Sequence, residues 1–372
     1  MRNTTSLFLL LLIPFFNFAQ GGYEVLVNSR ASHSIKIWSS NGNYLGDFIP
    51  SGSGGLSLPE DILFHPNGNI IVSGFGNTSL KEYDYYSGAY LGDFSSGYTL
   101  SSPSKISIGP DSLIYVTQWG IAQSKVVRFD LNGNFIDEFT SVDVNKGLSH
   151  LWDQDKNFYI AAFADGQNGF IHKFDSLGND LGAFHGSAKL DGPTTIWWGE
   201  NQEMLIADWT KGAIIQFDSA KNYLGQWNSG NLVQPEGRAL TPDGRTLIGD
   251  WNQDKVMAFD STGQFIAEMA AGDGLADPNA VRVRTSTGIG LDEAKTWIKQ
   301  VETHLGFLVL KGDIPSGSIV SITSMNGRRL FQEEIKARHT SFQIPLQSLS
   351  SGVYVLKIQN QEHGFTHSFF KP

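Results

Sequence analysis

The sequence predicts an all-β protein, a six-bladed β-propeller closed by both of its ends and followed by a small C-terminal β-sandwich. Three observations predict it: a segment repeated six times, turn signals inside every copy, and incomplete copies at both ends of the array. The repeat is plainest in the word "YLGDF", which stands at Tyr44–Phe48 and again at Tyr90–Phe94.

Extended, that word becomes six related segments: "IKIWSSNGNYLGDF" from Ile35, "LKEYDYYSGAYLGDF" from Leu80, "VVRFDLNGNFIDEF" from Val126, "IHKFDSLGNDLGAF" from Ile171, "IIQFDSAKNYLGQW" from Ile214 and "VMAFDSTGQFIAEM" from Val256. One aromatic recurs at Trp38, Tyr83, Phe129, Phe174, Phe217 and Phe259, at spacings of 42 to 46 residues. A fixed period of that length marks a repeat architecture. Each segment alternates apolar and polar residues and turns at Gly or Asn-Gly, which reads as a hairpin. A second hairpin precedes most copies, as in "PEDILFHPNGNIIVSGF" from Pro59 and "PEGRALTPDGRTLIGDW" from Pro235. The copy at Leu148 lacks the proline. Four short strands per period predict propeller blades.

The array is offset at its ends. The N-terminal stretch from Tyr23 supplies three strands and lacks a first one, and "PNAVRVR" at Pro278–Arg284 is a first strand without followers. Joined, they complete a sixth unit and leave no open sheet edge.

Outside the array, residues 1–20 read as a secretory signal peptide: Arg2, then "LFLLLLIPFF" at Leu7–Phe16, then Ala19 near a cleavage point. That apolar run is shorter than the ~20 residues a spanning helix needs, so no transmembrane span is expected in the mature chain. The sequence has no cysteine, hence no disulfide staples and no lipoprotein anchor. Residues 20–284 carry a net charge of −13 and residues 285–372 a net of +2. An acidic body argues against nucleic acid as a partner, and the charge break marks a boundary. The expected domains are the signal peptide at 1–20, the propeller at 21–284, a linker at 285–300 and a terminal domain at 301–372. Leu291–Leu305 spaces its apolar residues as a short amphipathic helix, with a strand as the alternative.

The stretch "LIADWTKGAIIQFDSAKNYLGQW" (Leu205–Trp227) resembles NHL-repeat propellers in Asp208 after an apolar strand, a short loop, and the apolar–Phe217–Asp218 strand. The resemblance covers roughly residues 22–284 and implies a fold shared by lyases, lactonase-like enzymes and pure binding scaffolds. The tail resembles the C-terminal sorting domain of the type IX secretion system. It carries "MNGRRL" at Met325–Leu330, the "SGVYVLKI" pattern up to Ile358, and the terminal Lys371-Pro372. The Asn-Pro that often opens such domains is replaced by "LGFLVLKGDIPSG" from Leu305. This resemblance implies the type IX machinery as a partner, passage across an outer membrane, cleavage of the tail, and release or surface attachment.

In a propeller, equivalent residues converge on a central channel. The end of the second strand places Arg30, Phe75, Trp119, Phe163, Trp209 and Trp251 at one register, a ring suited to stacking on sugars or gripping apolar ligands. The competing expectation is that these aromatics wedge between blades. The start of the first strand gives a second ring: Glu60-Asp61, Ser104-Lys105, Ser149-His150, Thr194-Thr195, Glu236 with Arg238, and Asn279. Its mixed charges suit a site with shifted pKa values.

Ligand-binding candidates are therefore the six residues of the first ring together with Glu60, Lys105, His150 and Arg238. The leading expectation is a secreted or cell-surface protein that binds a glycan, peptide or protein at one channel face, with no catalytic residue assigned. The first alternative is a metal-dependent lactonase- or lyase-like enzyme whose Ca or Zn would be held by Glu60, His150, Asp208 and Asp250. The second is a structural adhesion module. "DQDKNF" at Asp153–Phe158 looks like the start of a calcium loop but lacks the glycine and the late Glu, and reads as a plain turn. No G-x-S-x-G elbow is present.

Overall fold

The structure, a computed structural model, describes residues 22–120, 123–163, 169–186, 189–228, 230–285, 298–304, 307–324, 329–350, 352–359 and 364–371. The signal-peptide stretch and the tail's "MNGRRL" turn through Arg328 lie outside them.

Six four-stranded antiparallel sheets follow one another between Tyr23 and Thr285. Five are continuous in sequence, and their first strands are Pro59–Phe64, Pro103–Ile108, Gly147–Trp152, Pro193–Trp198 and Pro235–Leu240. The remaining sheet combines Tyr23–Ser29, Ser34–Ser39 and Tyr44–Ile49 with Pro278–Thr285 as its first strand. Pro278–Thr285 runs antiparallel to Tyr23–Ser29, with Val25 opposite Val283. First strands contact one another in chain order, and Pro278–Thr285 touches both Pro235–Leu240 and Pro59–Phe64. The arrangement is propeller-like.

The packing follows from the alternation. The repeated aromatics Trp38, Tyr83, Phe129, Phe174, Phe217 and Phe259 are all buried. Apolar side chains from one sheet meet those of the next, as where Ile37 and Phe48 join Ile62 and Tyr83. A further cluster unites Leu247 and Val256 with Val25 and Trp38, so the last continuous sheet packs on the first. Each buried aromatic is a large share of such a cluster; truncating one to Ala costs about 3–5 kcal/mol.

The aspartate after the aromatic closes its hairpin. Asp130 Oδ1 accepts the N–H groups of Asn132 and Asn134 at 2.8 Å each, while its Oδ2 accepts from Asn134 Nδ2 at 2.9 Å. Asp175 with Asn179 and Asp218 with Asn222 repeat this. These are Asx turns, and they explain the "FD…N" spelling. The turn glycine serves the neighbouring sheet. Gly133 has φ +81°, and a Cβ there would lie 1.9 Å from the carbonyl oxygen of Phe94. The word "YLGDF" also has a repeated structure: Tyr44 donates to Asp47 at 2.6 Å as Tyr90 does to Asp93 at 2.7 Å, and Lys36 and Lys81 bind those same carboxylates at 2.6 Å.

The C-terminal region has a three-stranded sheet of Ile298–His304, Phe307–Ile314 and His339–Pro345. A four-stranded sheet contains Arg329–Glu334, Ile319–Ser324, Gly352–Gln359 and Gly364–Lys371. Leu308, Leu310 and Ile344 from the first sheet share one core with Val320, Ile322 and Leu356 from the second. The helix expected at Leu291–Leu305 is corrected for its described part. Ile298–His304 is a strand paired with Phe307–Ile314, the alternative that the sequence left open. Pairing with an adjacent strand outweighs the weak helical periodicity there.

Candidate functional site

Each second strand runs into the loop that positions one member of the first ring. The N–H groups of Phe75, Trp119, Phe163, Trp209 and Trp251 donate to Leu58, Ser102, Lys146, Gly192 and Gln234 at 2.8–3.1 Å, and that of Arg30 to Asp277 at 3.4 Å. Each acceptor is the residue just before a first strand. The same backbone bond therefore sets six side chains at one height.

Those side chains touch in sequence. Ring centroids lie 6.3 Å apart for Phe75–Trp119, 5.4 Å for Trp119–Phe163, 5.9 Å for Phe163–Trp209 and 5.6 Å for Trp209–Trp251. The Arg30 guanidinium fills the remaining gap, 5.0 Å from the Phe75 ring and 5.3 Å from the Trp251 ring. The first two ring pairs are tilted, the last two edge-on, and the Arg30 contacts are cation–π. All six residues are half-buried. They line a cavity of about 270 Å³ together with Leu148, Thr194, Glu60 and Glu236.

Arg30 Nε binds Glu60 at 2.7 Å. Lys105 Nζ donates to the main-chain oxygens of Glu60 at 2.8 Å and Asn279 at 2.7 Å, and lies 3.1 Å from the Glu236 carboxylate. The second oxygen of Glu60 is 3.9 Å away. Lys105 and both glutamates are buried. Burial pushes the Glu60 carboxyl up to about 7, against the pull of Lys105 and Arg30 and with the help of Glu236.

Lys105 also lines a second cavity of about 130 Å³, with Ser149, His150, Thr195, Arg238 and Asn279 around it. Lys105 and its two glutamates thus stand between two chambers. The second ring read from the sequence is divided here. Glu60, Thr194 and Glu236 line the aromatic chamber, while Asp61, Lys105, Ser149, His150, Thr195 and Arg238 line the other. The cause is a register shift in the first strands, between Pro59 and Asp61, Gly147 and His150, Pro193 and Thr195, and Glu236 and Arg238. Bulges of this kind re-aim side chains next to sites. At one of them Gly237 has φ +72°, and a Cβ would come within 2.8 Å of the Asn279 carbonyl oxygen.

His150 Nε2 is 2.6 Å from Ser107 Oγ, and burial lowers the imidazole to about 4. Ser107 and Arg282 belong to this chamber and were not expected from the sequence. Asp61 is occupied by Arg282 and by the N–H groups of Ile62 at 2.9 Å and Ile106 at 3.1 Å.

The four residues expected to hold a metal do not converge. Asp208 accepts the N–H groups of Asp191 at 2.7 Å, Gly192 at 3.0 Å and Lys211 at 3.0 Å. Asp250 accepts those of Val233 at 2.6 Å, Gln234 at 3.2 Å and Gln253 at 3.1 Å. Both aspartates fasten loops that carry the first ring, a crown of five aromatic side chains and Arg30. Glu60 and His150 line different chambers. Among the described residues no group of three His, Asp or Glu side chains is arranged to hold a metal ion. Asp153 closes a turn with Asn157 and accepts the Tyr159 hydroxyl at 2.9 Å. A third cavity of about 740 Å³, beside Trp152, Tyr159, Phe184 and Trp198, had no sequence signal because its walls come from two neighbouring sheets.

Comparison with known proteins bears on the fold and the tail. Residues 307–371 match the family model of the secretion system C-terminal sorting domain. No curated protein matches the chain in sequence. Among solved structures, the chain is similar to a protein of unknown function from Bacteroides caccae, with 14% identity, 70% of this chain and 98% of that one covered, and a TM-score of 0.55. It is similar to the nidogen/laminin complex structure at 11% identity, covering 70% and 98%, with a TM-score of 0.58. The virginiamycin B lyase of Staphylococcus aureus gives 12% identity, 78% and 88% coverage and a TM-score of 0.50. At these identities the likeness is one of fold. Among the described residues no helix is long and apolar enough to cross a membrane. The chain is thus a propeller-like β-protein that ends in a type IX secretion sorting domain, and is exported to the cell surface or the outer-membrane exterior.

Proposed function

We propose that this is a secreted or surface-attached six-bladed propeller, closed by both ends of the array, that binds a glycan, peptide or protein ligand in the aromatic chamber. The cyclic contacts of the first strands support the closure. The observation that carries the binding role is the crown itself. Five aromatic side chains and Arg30 stand at one height around a cavity, and all remain half-exposed rather than sealed between sheets. Aromatic faces stack on sugar rings and on apolar side chains, while Arg30 within the ring and Glu60 and Glu236 beside it offer hydrogen bonds. A cavity of about 270 Å³ admits one ring-sized group. The ligand therefore enters by its tip, such as a terminal sugar or a single side chain.

The test is a glycan and protein array probed with the exported chain and with a Trp119→Ala/Trp209→Ala/Trp251→Ala variant. Capture that disappears in the variant supports the proposal. Equal capture by a folded variant assigns the crown to packing. One observation keeps an enzyme as the second reading. The Glu60 carboxyl lines this chamber, and its burial raises its pKa above the usual carboxylate range, the direction that suits a general acid. The metal-dependent form of that reading gains no support from Asp208 and Asp250, whose oxygens are taken by backbone amides.

A further inference from the structure

The second chamber, on the other side of Lys105 from the crown, has unused hydrogen-bonding capacity. Asn279 is 1% exposed, and neither its Oδ1 nor its Nδ2 has a partner. Because both atoms are unpaired, the orientation of the amide does not matter. The buried Nε of Arg238 and the buried Nδ1 of His150 are unpaired as well. Four buried polar atoms without partners around a single cavity of about 130 Å³ are far from the ordinary condition of a protein interior.

Charge narrows the occupant. Arg282 is satisfied by Asp61 and by the main-chain oxygens of Ile62 at 2.9 Å and Val281 at 3.0 Å. Lys105 is directed at Glu60, Glu236 and the Asn279 main chain. Among the described residues no carboxylate pairs with Arg238, which rests on the Trp197 ring at 5.4 Å. One uncompensated cation therefore lines the chamber. The buried, unpaired donors are Arg238 Nε and Asn279 Nδ2, the first of them cationic, and together they suit an anionic acceptor. Asn279 Oδ1 is an acceptor, which calls for a donor on the same molecule. His150 Nδ1 serves either need, since its tautomer is set by whether Ser107 Oγ donates to Nε2 or accepts from it.

The geometry points to a binding site for a small 2-hydroxy or 2-amino acid, its carboxylate on Arg238 and Asn279 and its hydroxyl or ammonium on Asn279 Oδ1. The cavity limits the molecule to a few carbon atoms. This site is independent of the crown, so either assignment survives the failure of the other.

The experiment is calorimetric titration of the full chain with lactate, serine, acetate, propanol and inorganic phosphate. Saturable binding of lactate or serine is expected, with acetate and propanol each about tenfold or more weaker, since each lacks half of the pairing. Arg238→Gln is expected to weaken binding by about tenfold or more. Asn279→Leu is expected to do the same with Arg238 intact, and reads the proposal if the first variant does not fold. Three results overturn it: no saturable heat with lactate or serine, acetate or phosphate binding as well as they do, or unchanged affinity in the folded variants.

Discussion

Replacing Glu60 by Gln isolates the electrostatic strain at the partition between the chambers. The side chain is 5% exposed, and its carboxyl is raised from an ordinary 4.5 to about 7, chiefly by burial. The folded protein therefore holds a proton that the unfolded chain releases between those values. Where the folded state binds more protons, unfolding free energy falls as pH rises. Stability from this group is complete below 4.5 and lost as pH passes about 7. A rise of that size is worth about 3 kcal/mol. His150 and His185 act in the opposite sense. Both are lowered to about 4 by burial, so they add stability as pH rises toward their ordinary 6.5. The wild-type curve mixes these effects, and the difference between wild type and Glu60→Gln removes the histidines. Urea unfolding at pH 5, 6, 7 and 8 should show the variant gaining on wild type by about 3 kcal/mol across the range. Parallel curves would refute the reasoning, because Glu60 would then titrate alike in both states.

Four further outcomes are expected. Gly133→Ala should lose at least about 2 kcal/mol in denaturant unfolding, since a positive φ and a clash with the neighbouring sheet coincide. Gly244→Ala, with φ +84° and open space around it, should lose only about 1 kcal/mol. Asp208→Ala should cost about 2–3 kcal/mol by leaving three backbone N–H groups without their acceptor, and Asp208→Asn less; equal metal content in wild type and variant, read by elemental analysis, accompanies a loop-fastening role. Trp251→Ala should shift thermal unfolding by less than about 2 kcal/mol, because the ring is half-buried, yet abolish capture on the array.

The repeat made the sheets legible, because one aromatic per hairpin must be buried at the same depth each time. It made the crown legible for the same reason: equal register means equal height. Depth along the first strands was not legible. Glu60 and Asp61 are neighbours in sequence, and a register shift sends them to different chambers. Sequence alternation carries no mark of such a shift. Asp208 and Asp250 looked like free ligands because backbone partners leave no trace in the residue order. Ile298–His304 looked helical because its spacing suits either element, and only its partner strand decides.

The pairing of Tyr23–Ser29 with Pro278–Thr285 bears on the time course of folding. Arg284 Nε meets the Glu24 carboxylate at 2.7 Å across a separation of 260 residues. Joining ends that far apart costs about 5 kcal/mol in loop entropy beyond a length-independent constant. The intervening sheets must form first and shorten that distance by their own packing. Until then the edge of Tyr23–Ser29 is unpaired, and Lys105 lacks one of its acceptors, the Asn279 carbonyl. Folding should therefore be slow and end in one late, cooperative step. In that step the final strand covers an exposed sheet edge and adds the last acceptor of a buried cation, which makes the row of sheets still lacking that strand the species most exposed to misassembly.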